Sequence, residues 1–103
     1  MNTTFEVSFY IKKQQKNSEG FCPVMCRISI DSERKQFSTK LKVKEQQWNV
    51  KANRTFGKTN ETRFVNSVLD DILSKLNNYY HELRRVNPFV TAELLKNKFL
   101  GIN

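Results

Sequence analysis

Glycine, proline, cysteine and histidine are scarce in this chain of 103 residues, at three, two, two and one respectively. Three glycines leave no Gly-rich loop to cradle a phosphate. Cys22 and Cys26 flank a Pro-Val-Met segment that reads as the entry to a strand. Four steps of extended chain set them ~13 Å apart, too far for one disulfide or one shared zinc unless the chain turns sharply. Both therefore read as small apolar residues in a reducing compartment, and with one histidine and no second cysteine pair no metal site is expected. No apolar run approaches the ~20 residues that cross a bilayer. The start, Met1-Asn2-Thr3-Thr4-Phe5, also lacks the basic-then-apolar layout of a leader. The expectation is a cytoplasmic protein with no membrane partner. His81 falls near the end of a helix beside Tyr80, Glu82 and Arg84 and reads as a surface residue, while Asp70 and Asp71 diverge by ~100° on a helix. No catalytic set, small-molecule substrate or cofactor is expected from such a chain.

Hydrophobic residues make up 38% and aromatics 12%, enough for the modest core of one small domain. Charge is what the chain has in excess: 18 Lys+Arg against 10 Asp+Glu give +8. Residues 1–57 hold eleven of the basic and five of the acidic side chains, so most of the excess lies in the first half. A basic surface suits nucleic acid, but it also suits plain solvent, so the layout of the charges decides.

From Phe5 to Lys12 the pattern alternates, with Phe5, Val7, Phe9 and Ile11 on one side and Glu6, Ser8, Tyr10 and Lys12 on the other. Lys13 to Phe21 is polar and reads as a mobile loop. The period returns with Val24, Cys26, Ile28 and Ile30 inward and Met25, Arg27 and Ser29 outward. Asp31-Ser32-Glu33 is turn chemistry, and a third strand follows, with Phe37, Thr39, Leu41 and Val43 inward and Gln36, Ser38, Lys40 and Lys42 outward. Three antiparallel strands, about 5–43, need a cover for their apolar face. Phe64, Val65, Val68, Leu69, Ile72, Leu76, Tyr79 and Leu83 supply it, on one arc of an amphipathic helix from about Asn60 to Val86. At ~40 Å this helix is expected to overhang eight-residue strands or to bend. Trp48 reads as a plug at the sheet-helix edge. Pro88 stops the helix, and Thr91 caps a short second one that ends at Gly101, with Val90 and Leu95 at hydrophobic-staple positions. Its apolar residues Leu94, Leu95, Phe99 and Leu100 are expected to lack a partner within so small a core. The fold class is α+β.

The outward sheet residues are the informative constellation. Tyr10, Lys12, Arg27, Ser29, Gln36, Ser38, Lys40 and Lys42 bring donors and acceptors, with Glu6 the one acid among the outward set. Arg27 can fork onto guanine, Gln36 can pair adenine, and lysines neutralise phosphate. Lys13 and Lys16 in the first loop, and Arg34 and Lys35 read as a second, would ride on the flanking backbones. An ordinary solvated face of an antiparallel sheet is the competing reading of these residues. A double-stranded RNA-binding module and a protein-interaction module also remain open.

Pro23-Val24-Met25-Cys26-Arg27-Ile28, then Phe37 to Val43, then Trp48-Asn49, resembles the N-terminal arm-type DNA-binding domain of tyrosine recombinases, the integrases of conjugative transposons and related bacterial mobile elements. Phe89 to Glu93 and Lys98 to Gly101 resemble the passage of those integrases into their core-binding domain. The resemblance implies a three-stranded sheet on a C-terminal helix, with the sheet in the major groove of duplex DNA. It makes 1–86 the arm domain and 87–103 the link to the remaining recombinase domains, with Arg27, Ser38 and Lys40 the foremost contacts. His81-Glu82-Leu83-Arg84 fits the His-x-x-Arg pattern of the recombinase active site, but that motif belongs to the family's catalytic domain and is read here as coincidence.

Overall fold

A computed structural model describes residues 4–101, so part of the N-terminal segment weighed above as a leader lies outside the described residues. The alternating segments form β1 (Phe5–Ile11), β2 (Phe21–Ile30) and β3 (Glu33–Lys44), an antiparallel sheet in the order β1-β2-β3. Register follows the expected parity: Phe9 pairs with Cys26 and Cys26 with Phe37, while Ser8 pairs with Arg27 and Arg27 with Gln36. Each cross-strand row therefore belongs wholly to one face.

The apolar rows are covered by α1 (Asn60–Val86) and α2 (Ala92–Leu100). Thr59 starts α1 by accepting a hydrogen bond from the Thr62 amide, while the Thr62 hydroxyl accepts from the Thr59 amide, a reciprocal cap. Asn87 ends it ahead of Pro88. Val65, Leu69, Ile72, Leu76 and Tyr80 are buried beneath the helix, and Phe5 stacks on Tyr80 with ring centroids 4.2 Å apart. Phe64 departs from the expected arc: it stands 62% exposed at the edge of the apolar stripe. The longest dimension of the molecule, 44 Å, is close to the ~40 Å of α1. β3, at twelve residues, is longer than the eight-residue strand expected from the sequence.

Trp48 is buried in the core, as a plug should be, but it enters on an element the pattern did not show. β4 (Trp48–Asn49) and β5 (Arg54–Thr55) form a small hairpin. Asn66 of α1 holds it, accepting from the Thr55 amide at 2.9 Å, and the buried Thr55 hydroxyl donates to the Thr62 carbonyl. Cys22 and Cys26 are free and buried on β2, and burial pushes the Cys26 thiol up to about 12.

The expectation that the second helix lacks a partner is corrected. Val90, Ala92 and Leu95 are buried, and Phe99 packs on Phe37 with centroids 5.1 Å apart; only Leu94 and Leu100 of the apolar set stand exposed. Glu33 anchors the helix start by accepting from the Ala92 amide at 2.7 Å, where a carboxylate also complements the helix dipole. Thr91 caps the same turn as expected, and Gly101 ends the helix in the left-handed conformation, φ 73°.

Candidate nucleic-acid interface

Opposite the helices, the sheet is open. Its rows, from β1 to β3, are Glu6-Ser29-Arg34, Ser8-Arg27-Gln36 and Tyr10-Met25-Ser38. Beyond them the Lys12 amide donates to the Pro23 carbonyl at 3.1 Å, Pro23 pairs with Lys42, and Phe21 pairs with Lys44. These rows carry Arg27, Arg34, Lys12, Lys42 and Lys44 against the single acid Glu6. The sequence placed Tyr10, Lys12, Arg27, Ser29, Gln36, Ser38 and Lys42 together, and the register does the same.

The centre of this face is tied side chain to side chain. The Arg27 guanidinium lies over the Tyr10 ring, 4.6 Å from its centroid, and the Tyr10 hydroxyl donates to Gln36 Oε1 across β2. Tyr10 thereby lies over the central strand, and Met25 in its row is only 9% exposed. Among the described residues no carboxylate pairs with Arg27, which leaves its N–H donors to a ligand.

Two expected contacts are placed differently from the sequence reading, and two more are paired with an acid. Arg34 and Lys35 lie within β3, not in a loop, and the two face opposite ways. Arg34 joins the open face, whereas Lys35 pairs with Ile28 in a helix-side row. Lys13 belongs to a single 3-10 turn, Lys13–Gln15, and both Lys13 and Lys16 reach Glu45, at 3.5 and 3.1 Å. The segment read as a mobile loop is further closed by Asn17, whose side chain accepts from the Glu19 and Phe21 amides. The hydrogen bond and charge of Glu45 raise the Lys16 ammonium, and Lys16, then Lys13, hold Glu45 below the usual carboxylate range. Exposed pairs of this kind are weak and salt-sensitive, so the two lysines are available to phosphate at the loss of one acid partner.

Lys40 stands in a bulge. Between the Pro23–Lys42 and Met25–Ser38 pairs, Thr39, Lys40 and Leu41 oppose Val24 alone. The Thr39 hydroxyl bridges the gap by donating to the Val24 carbonyl at 2.8 Å, and the Lys40 amide donates to Ser38 Oγ at 3.0 Å. Lys40 takes φ 68°, a left-handed conformation uncommon for a side-chain-bearing residue, and is exposed.

The sequence reading missed Phe21 and Lys44. Lys42 and Lys44 both set their ammonium groups 5.6 Å from the centroid of the Phe21 ring. Carrying the alternation of β2 back through Pro23 to Phe21 was the available signal. His81 lies exposed, edge-on to Tyr80 at 5.7 Å, away from the sheet rows.

No curated protein and no solved structure matches the chain. A family model described as an arm DNA-binding domain does match, over residues 9–96. That stretch takes in β1 from Phe9 onward, all of β2 and β3, the hairpin, α1 and the first half of α2. The match covers most of the chain, and the chain belongs to the arm DNA-binding domain family, DNA-binding domains of the integrase type.

Proposed function

We propose that the open face of β1–β3 enters the major groove of duplex DNA and reads sequence at arm-type sites, as the N-terminal domain of a tyrosine recombinase from a conjugative transposon or related mobile element. The core-binding and catalytic domains of that recombinase would join beyond α2, and the arm domain itself performs no chemistry. The observation that carries the reading is Arg27: it sits mid-strand on the central strand, on the open face, unpaired by any carboxylate among the described residues. Two strand spacings set the outer strands about 10 Å apart, comparable to the ~12 Å width of the major groove. Lys12, Lys40, Lys42 and Lys44 then lie where a phosphate backbone passes, and Arg27 lies nearest the base edges.

The test sets Arg27→Ala beside Lys12→Ala on the preferred duplex and on random duplex at several salt concentrations. Arg27→Ala is expected to cost roughly 1–3 kcal/mol on the preferred site and much less on random DNA. Lys12→Ala is expected to weaken both alike and to lower the salt slope by about 1. Equal loss on every sequence for Arg27→Ala would make it a phosphate anchor and overturn its role in reading sequence.

A further inference from the structure

Resting on the reading of the open face as a groove-reading surface, we infer that Tyr10 is a specificity-determining positioning residue that turns Arg27 and Gln36 into a pair of donors and so selects acceptor edges, guanine above all. The geometry is a chain of three side chains from three different strands. Tyr10 comes from β1, Arg27 from the central β2 and Gln36 from β3, with Arg27 and Gln36 direct cross-strand partners. The Tyr10 ring spans them, carrying the guanidinium on its face at 4.6 Å and giving its hydroxyl proton to Gln36 Oε1.

What matters is which atoms these contacts consume. Stacking on an aromatic face engages the plane of the guanidinium and leaves its in-plane N–H groups free for a ligand. A flexible arginine that would otherwise sample many rotamers is thus held without loss of a donor. For Gln36 the consequence is a change of character. A free glutamine amide offers one acceptor and one donor side by side, the match for N6 and N7 of adenine. The Tyr10 hydroxyl takes one of the two lone pairs of the acceptor oxygen and fixes which end of the amide is which, so the amide NH₂ is the group with its full capacity left for DNA. Arg27 then meets O6 and N7 of guanine, and Gln36 donates to an acceptor of the adjoining base pair, guanine O6 or thymine O4. Adenine at the Gln36 position would have to share the amide oxygen with the tyrosine hydroxyl, in the geometry that hydroxyl imposes, to use both atoms of the amide, and cytosine would bring its N4 donor against another donor.

The experiment uses the whole chain. Wild type first selects duplexes from a randomised pool, and then wild type, Tyr10→Phe, Gln36→Ala and the double variant are titrated against the selected duplex and all its single base-pair changes. Tyr10→Phe keeps the ring under Arg27 and loses only the hydroxyl. It is expected to lower discrimination against adenine by about 3- to 10-fold at one base pair, the size of one neutral hydrogen bond, and to leave the guanine preference at the adjoining pair intact. The melting temperature should fall by no more than the few degrees that one exposed hydrogen bond supports, and the affinity for random duplex should fall by less than the discrimination does. Adding Tyr10→Phe to Gln36→Ala should do nothing further. Tyr10→Leu, which removes the ring as well, should loosen both positions. The proposal is overturned if Tyr10→Phe changes no base preference, if it weakens every duplex by one common factor, or if its effect multiplies onto that of Gln36→Ala. A wild type that enriches no sequence overturns this proposal together with the groove-reading one. A wild type that enriches guanine in an Arg27-dependent way while Tyr10→Phe behaves as wild type removes the role of Tyr10 alone.

Discussion

The two faces of the β1–β3 sheet use the same three strands and alternate residues, yet they are held by different physics. On the helix side Val24, Cys26 and Ile28 have no exposed surface, and each row is closed from above by α1 or α2. On the open side the residues hold one another sideways, ring on guanidinium and hydroxyl on amide, and their outer edges stay free. Non-directional burial fixes the first face and a few directional contacts fix the second. Stability and recognition are thus divided by strand parity, and a substitution that moves one should leave the other nearly still.

The largest effects that could break this division belong to the closed face. Ile28→Ala and Leu95→Ala are each expected to destabilise by roughly 2–5 kcal/mol, read from denaturant midpoints, because each empties a fully buried site. Leu95→Ala is the sharper of the two: a loss well under 1 kcal/mol would mean that α2 adds little to the core despite its burial. Lys40→Gly should act with opposite signs on the two properties. Left-handed backbone costs a non-glycine residue ~1 kcal/mol or more, so glycine should hold or raise the melting temperature, net of its own entropy in the unfolded chain, while DNA affinity falls with the lost cation. A matching loss in both would place Lys40 in the structural face. The smallest effect is expected from Glu45→Gln, which frees Lys13 and Lys16. DNA binding should tighten and its salt slope steepen by about 1 to 2, with no change in base preference. The sign with pH agrees: Glu45 is held below the usual carboxylate range, so its pairing is complete above that range and is lost only as pH falls below it, through the lowered folded value. Acid should therefore mimic Glu45→Gln. Unchanged binding in the variant would show that DNA already displaces Glu45.

Strands, faces, the span of α1 and the caps of α2 were legible because each rests on local periodicity or on one side chain beside its own helix. Three features were not. The bulge at Thr39–Leu41 inserts two residues, and two is the period of a strand, so the inward and outward assignment continues through it undisturbed. The visible clue was Pro23 within a central strand, where a residue without an amide proton is tolerated mainly at a bulge. The β4–β5 hairpin has two-residue strands, too short to show any period, and is recognisable only through Thr55 and Asn66, which meet from different elements. The docking of α2 depends on Glu33 and Ala92, 59 positions apart, and on Phe37 meeting Phe99. The candidate site divides in the same way. Parity placed Arg27 and Gln36 on one face, but that Tyr10 from β1 spans β2 to reach Gln36 on β3 required the register of all three strands.

The two thiols give the chain an internal clock. Cys22 and Cys26 lie in the middle strand with no surface exposed, and Cys26 resists ionisation until about 12. A thiol reagent reaches neither sulfur while the strand is seated between its neighbours and beneath the helices. Labelling must wait for β2 to come free, so its pace reports how often the sheet opens, and a ligand gripping the far side of that same strand registers as a slower tick.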